Sequence, residues 1–175
     1  MKRLLPIAII ATVLLSNCKK SEEAITHINC DGLVTDTLGT GDAGRIYSPN
    51  AFTPNADALN DLYRVITKNI STIALTIYDG NNNIAFTTTQ LNLPDQNGFA
   101  STAFWAPTSS ASSYETYYYK IQVVTNSGRH IGACGELYKL SCFPSTIPRG
   151  NFSFEDQLRL NGFTGTTAEF LSVCP

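Results

Sequence analysis

The chain has 175 residues, a formal net charge of −2 and 15% charged residues. That length is enough for one domain with a real core. The mildly acidic balance carries no electrostatic footprint for nucleic acid and no basic stripe for anionic lipid, which argues against both as partners of the domain itself.

Lys2 and Arg3 open the chain, and Leu4 to Leu15 follow as an apolar run broken only by Pro6. A membrane-spanning helix needs roughly 20 apolar residues. This run is shorter and matches the apolar region of a secretory signal. Leu15-Ser16-Asn17-Cys18 resembles the lipobox of bacterial lipoproteins, with Asn17 where that family usually has Gly, Ala or Ser. The resemblance implies that residues 1–17 are a signal peptide and that Cys18 carries lipid. The alternative is an ordinary signal with a chance cysteine. Several acyl chains on one residue give stable membrane anchoring where a single chain does not. Lys19-Lys20-Ser21-Glu22-Glu23 is similar to the surface-export tether of Bacteroidetes lipoproteins. That likeness implies an outer-membrane lipoprotein on the cell surface. A plain solvated linker facing the periplasm is the alternative.

Residues 18–43 read as a tether and N-terminal loop. Asp36-Thr37-Leu38 resembles a short O-glycosylation signal, against a plain loop. Gly39-Thr40-Gly41-Asp42-Ala43-Gly44 matches G-x-G-x-x-G, but no strand precedes it, and Pro49 and Pro54 exclude a long helix after it. It reads as a loop.

Residues 44–140 read as β. Ile73, Leu75 and Ile77 alternate with Ala74, Thr76 and Tyr78, which is the period of a half-buried strand. Asp79 to Asn83 signals a turn, and Ile84 and Phe86 resume the alternation as a hairpin partner. Tyr117, Tyr119, Ile121 and Val123 define the face of a further strand, with Tyr118 on the opposite side. Trp105 reads as core rather than as a ligand platform. Asn126-Ser127-Gly128 turns the chain, and Arg129 to Leu140 returns. Short strands between turn-rich loops predict an all-β, antiparallel sandwich.

Residues 141–175 read as a short helical or irregular extension. Ser153 is placed to cap a helix from Phe154 to about Asn161, with Glu155 and Asp156 in its first turn and Gly162 at its end. Phe154 and Leu158 would share its apolar face.

Cys30, Cys134, Cys142 and Cys174 remain once Cys18 is set aside. An even count in an exported chain reads as two disulfides, and three pairings are open. Zinc fails on spacing, because no C-x-x-C pair exists and His27 and His130 sit at no ligand spacing. Cys174 is placed to tie the tail to the domain.

Pro49, Asn50, Phe52, Thr53, Pro54, Asn55, Asp57, Asn60 and Asp61 match the opening P-N-x-F-T-P-N-x-D-G-x-N-D of the gliding-motility-associated C-terminal domain, the type B sorting domain of type IX secretion. Ala58 stands where that family has glycine. Leu75 to Gly80, Trp105, Tyr117 to Ile121 and Gly135 to Leu140 fit its later strands. The resemblance covers about residues 45–140 and implies an Ig-like β-sandwich. Two departures stand against a pure sorting role: residues 141–175 follow the domain, and the chain carries its own lipid signal.

Asn55, Asp57 and Asp61 are candidate ligands for Ca²⁺, since oxygen donors at alternate positions suit a hard cation. The alternative is an Asx-rich turn whose side chains bond backbone N–H groups. No nucleophile elbow, H-E-x-x-H or phosphate loop has the context it requires. The sequence therefore suggests a non-enzymatic lipoprotein presenting a module for a protein partner. A glycan-binding surface lipoprotein and a secretion sorting module are the alternatives.

Overall fold

The computed structural model describes residues 30–107 and 114–175. The signal segment, Cys18 and His27 lie outside them. Strands form where the alternating runs stand. β4 (Ile70–Tyr78), β7 (Tyr114–Thr125) and β8 (His130–Leu140) pair antiparallel as the centre of a five-stranded sheet. β5 (Ile84–Thr88) adds antiparallel to β4, and the short β2 (Ala51–Phe52) adds parallel to β8, giving the order β2-β8-β7-β4-β5. β1 (Arg45–Tyr47), β3 (Ile66–Lys68) and β6 (Phe99–Ser101) form a three-stranded antiparallel sheet. Asn69 alone separates β3 from β4. Its left-handed backbone (φ 54°) turns the chain from one sheet into the other. The fold is thus an all-β sandwich.

The core follows from the period-two pattern. Ile73, Leu75 and Ile77 of β4 and Ile121 and Val123 of β7 are all at most 3% exposed. They meet Tyr63, Val65, Phe52 and Leu137 in one cluster. Trp105 lies inside it, 8% exposed, with its ring 5.0 Å from Tyr117 and 5.7 Å from Phe52. Tyr117 and Tyr119 face this core and Tyr118 faces away, as the alternation requires. Tyr63 is fully buried, and its phenol hydrogen-bonds Ser48 at 2.8 Å. Burial pushes that phenol far above its ordinary pKa.

The β4–β5 hairpin forms as expected, with Asp79 Oδ1 accepting from the backbone of Asn81 and Asn83. Its inner side differs. The register shifts between Ile77 and Tyr78, so Phe86 packs on the core while Ile84 is left 64% exposed. A bulge breaks the alternation that the sequence suggests.

The expected helix from Phe154 to Asn161 is not formed. Glu155–Gln157 make a single 3-10 turn, followed by a small hairpin of β9 (Leu158–Arg159) and β10 (Gly162–Phe163). Two competitors defeat the helix. Ser153 spends its backbone and hydroxyl on Asn50 rather than on a cap. Gly162, with φ 110°, opens the second strand of a tight turn that a helix cannot contain. Phe154 still buries, at 1% exposure, in a second cluster with Ala51, Leu140, Phe143, Phe152 and Leu171. The C-terminal extension therefore builds its own core against the sheet edge.

Candidate functional site

The four cysteines pair as Cys30–Cys134 and Cys142–Cys174, with Cα atoms 5.8 and 5.0 Å apart. The second bond ties the tail, as Cys174's position suggests. The first does something the sequence hides. It fixes the N-terminal segment to the outer face of β8, and hydrogen bonds continue the attachment. Lys120 Nζ donates to Asp31 O, Gln122 exchanges bonds with both backbone groups of Val34, and the Gly132 N–H donates to Thr35 Oγ1. Asp36 Oδ2 then accepts from His130 through its backbone N–H at 2.8 Å and lies 3.1 Å from its ring. The His130 N–H, and next its ring, hold the Asp36 carboxyl below its ordinary range. The G-x-G-x-x-G run is a loop on the β7–β8 turn. Asp42 accepts from Ser127, Gly44 and Thr125, and these donors hold its carboxyl low.

The motif Pro49 to Asp61 divides its polar residues between two tasks. Asp57 and Asp61 hold the loop itself. Asp61 accepts from the Ala56 and Ala58 N–H groups at 2.7 Å each, Asp57 from Leu59 at 2.8 Å, and Asn55 Oδ1 from Asp57 at 3.1 Å. Each of these oxygens accepts from a backbone N–H, as side chains do in an Asx turn. Among the described residues, no cluster of three or more His, Cys, Asp or Glu is placed to hold a metal ion. Ala56, Ala58 and Asn60 all carry positive φ, which explains why glycine suits position 58.

Asn50, Thr53, Asn55 and Asn60 perform the second task, which is to receive the C-terminal extension. Asn50 Nδ2 donates to Asn151 O, and its Oδ1 accepts from Ser153. Asn60 Oδ1 accepts from the Asp156 N–H. Thr53 Oγ1 (2.6 Å), Asn60 Nδ2 (3.2 Å) and Asn55 Nδ2 (3.3 Å) converge on the Glu169 carboxylate, which is 7% exposed. Nothing in the sequence links Glu169 to this loop, because over a hundred residues separate them.

Two adjoining clefts open where the extension meets the sandwich, and Arg64 lines both. One, of about 490 Å³, lies between β3, β6 and the β9–β10 hairpin, with Leu93 92% and Leu160 69% exposed at its margin. The other, of about 460 Å³, runs along Asn60, Asp61, Glu155 and Asp156, with Leu62 43% and Phe104 51% exposed. Arg64 bonds Glu155 through Nε at 3.0 Å to both carboxylate oxygens, and its guanidinium lies 4.6 Å from the Phe104 ring. Asp156 Oδ1 is buried with no partner among the described residues, although Oδ2 accepts from Thr167 and Ala168.

A third surface is the part of the outer sheet face that the N-terminal segment leaves open. Tyr78 and Tyr118 are cross-strand neighbours there and Tyr118 faces Glu136, while Tyr138, two residues on, packs its ring edge-to-face on Phe152 of the extension at 5.3 Å. Tyr138 donates to Glu136, and burial together with that bond raises its phenol pKa. No family model, curated protein or solved structure matches the chain, so its reading rests on these surfaces and its sequence.

Proposed function

We propose that this chain is a non-enzymatic, membrane-anchored lipoprotein that presents an Ig-like module to a protein partner, in secretion, adhesion or gliding at the outer membrane. The observation that carries the partner reading is the pair of clefts about Arg64. Four large apolar side chains stand exposed around an ion pair, with an unpaired carboxylate oxygen below. Clustered apolar exposure with a polar centre is the composition of a binding surface rather than of an idle one. The lipobox at Cys18 and the resemblance over residues 45–140 support the location and the setting. The alternative role as a sorting module follows from the same resemblance.

The test uses photo-crosslinkers in intact membranes, one at Leu160 and one at the exposed Asn81 in the turn between β4 and β5. The reading expects a discrete adduct from Leu160 that Leu93→Asp removes. Equal adducts from both positions would sink it. Cys18→Ala is expected to move the chain to the soluble fraction with its thermal unfolding unchanged. If it stayed with the membrane, the anchor would lie elsewhere.

A second reading is glycan binding, favoured by the cross-strand pair of Tyr78 and Tyr118 beside Glu136. Aromatic faces beside a carboxylate suit sugar rings and hydroxyls. Titration with an oligosaccharide panel, read by tyrosine fluorescence, separates the two. A response lost in Tyr118→Ala would favour the glycan.

A further inference from the structure

The last residues of the chain lie on the sandwich as a bound peptide lies on a receptor. Residues 169–171 alternate between buried and exposed. Glu169 and Leu171 point inward at 7% exposure each, while Phe170 (93%) and Val173 (53%) point out. Phe143 N–H donates to Ser172 O, and Cys174 N–H donates to Phe143 O, both at 2.8 Å. Phe143 and Val173 form a parallel bridge. Leu171 fills an apolar pocket of Ala51, Leu140, Phe143, Phe152 and Phe154. Glu169 fills the polar pocket of Thr53, Asn55 and Asn60. Main-chain pairing for affinity and alternate side-chain pockets for selectivity are the parts of recognition by strand addition.

We infer that this groove is a peptide-binding site specific for an extended segment with Glu followed two residues later by Leu, and that the chain's own tail is its resident, displaceable occupant. Three observations point to an occupant of this chemistry. The polar pocket offers only neutral donors, which suit a carboxylate and leave a glutamine amide facing other donors. The two pockets lie at the spacing of alternate residues in a strand. The tail is held to the backbone at Phe143, just past the end of β8, and covalently by Cys142–Cys174, which keeps it close without adding a pocket. The inference does not depend on the clefts about Arg64.

The test is made on the full chain. A labelled peptide of residues 164–175 with Cys174→Ser is titrated against the chain carrying Cys142→Ser and Cys174→Ser, and binding is read by anisotropy. Saturable binding is expected, weakened at least tenfold by Glu169→Gln in the peptide and similarly by Leu171→Ala. Equal binding of the Glu169→Gln peptide would overturn the inference. So would absence of binding to a folded variant. A stable dimer that the peptide does not displace would overturn it too, since the occupant would then be the tail of a second copy. The wild-type chain supplies a check that needs no variant to fold. Hydrogen exchange at the Ala168, Glu169 and Cys174 amides is expected to run at least tenfold faster than at Ile121 and Leu137. Exchange as slow as in β7 and β8 would show that the tail does not come out separately, and the inference would fail.

Discussion

Replacing Ala58 by glycine should make this protein more stable, against the usual direction of such a change. Ala58 has φ 67° and an exposed side chain, and its N–H donates to Asp61 Oδ2 at 2.7 Å. Left-handed backbone costs a residue with a Cβ about 1–2 kcal/mol. Glycine removes that cost, keeps the N–H and forfeits no burial. Its extra freedom in the unfolded chain takes back about 0.4–1 kcal/mol. The net gain is about 0.5–1 kcal/mol. For a chain of this size each kcal/mol moves Tm by about 2–4 °C, so a rise of roughly 1–4 °C is expected in calorimetry. Ala51→Gly is the control. Ala51 lies in β2 and is 1% exposed, so it should lose stability. A Tm for Ala58→Gly at or below that of the parent would refute the reasoning, because it would mean that the loop is not strained at this position.

Acid should loosen the loops before the core. The Asp36, Asp42 and Asp95 carboxyls all lie below their ordinary value of 3.8. For Asp95 the Phe99 N–H is the main cause. A depressed carboxyl stabilises the fold above its unfolded pKa, and that stability is lost as pH falls through the lower folded value. The protection of the His130, Gly44 and Phe99 amides, taken as exchange relative to an unstructured amide at the same pH, should therefore fall below about pH 3.8 and stay constant above pH 5; a loss of protection near neutrality would contradict this. Gly135→Val should cost about 1–3 kcal/mol in urea unfolding, because even a Cβ there would lie 2.9 Å from Tyr119 Oη. Trp105→Ala should cost about 3–5 kcal/mol, since it empties the centre of the main core; a loss under 1 kcal/mol would place the indole outside it.

The parts of the fold legible in the sequence are those set by local periodicity. Ile73, Leu75, Ile77, Ile121 and Val123 announce their buried face because a strand repeats every two residues. Asp79 to Asn83 announces its turn through side chains that bond their own backbone. Ile84 misleads because a bulge is set by the partner strand as well as by its own. Phe154 to Asn161 misleads because a cap residue serves only where nothing stronger claims it, and Asn50 claims Ser153 from more than a hundred residues away. The cysteine count suggested two bonds, but a pairing is a property of space. Glu169 carried no signal at all. The best clue was the concentration of asparagines in the motif, which offers more donors than one turn consumes.

The two disulfides also decide how this molecule carries tension. A pull applied between Cys30 and Cys174 enters β8 directly at Cys134 and leaves the chain just beyond its end, at Cys142. The 104-residue separation closed by one bond and the 32-residue separation closed by the other are then off the load path. Only the stretch from Cys134 to Cys142 can lengthen, and fully extended it spans about 28 Å. A module dragged from one end against a partner held at the other would behave as a short, stiff link. Most of the sandwich would ride beside the line of force without being unravelled by it.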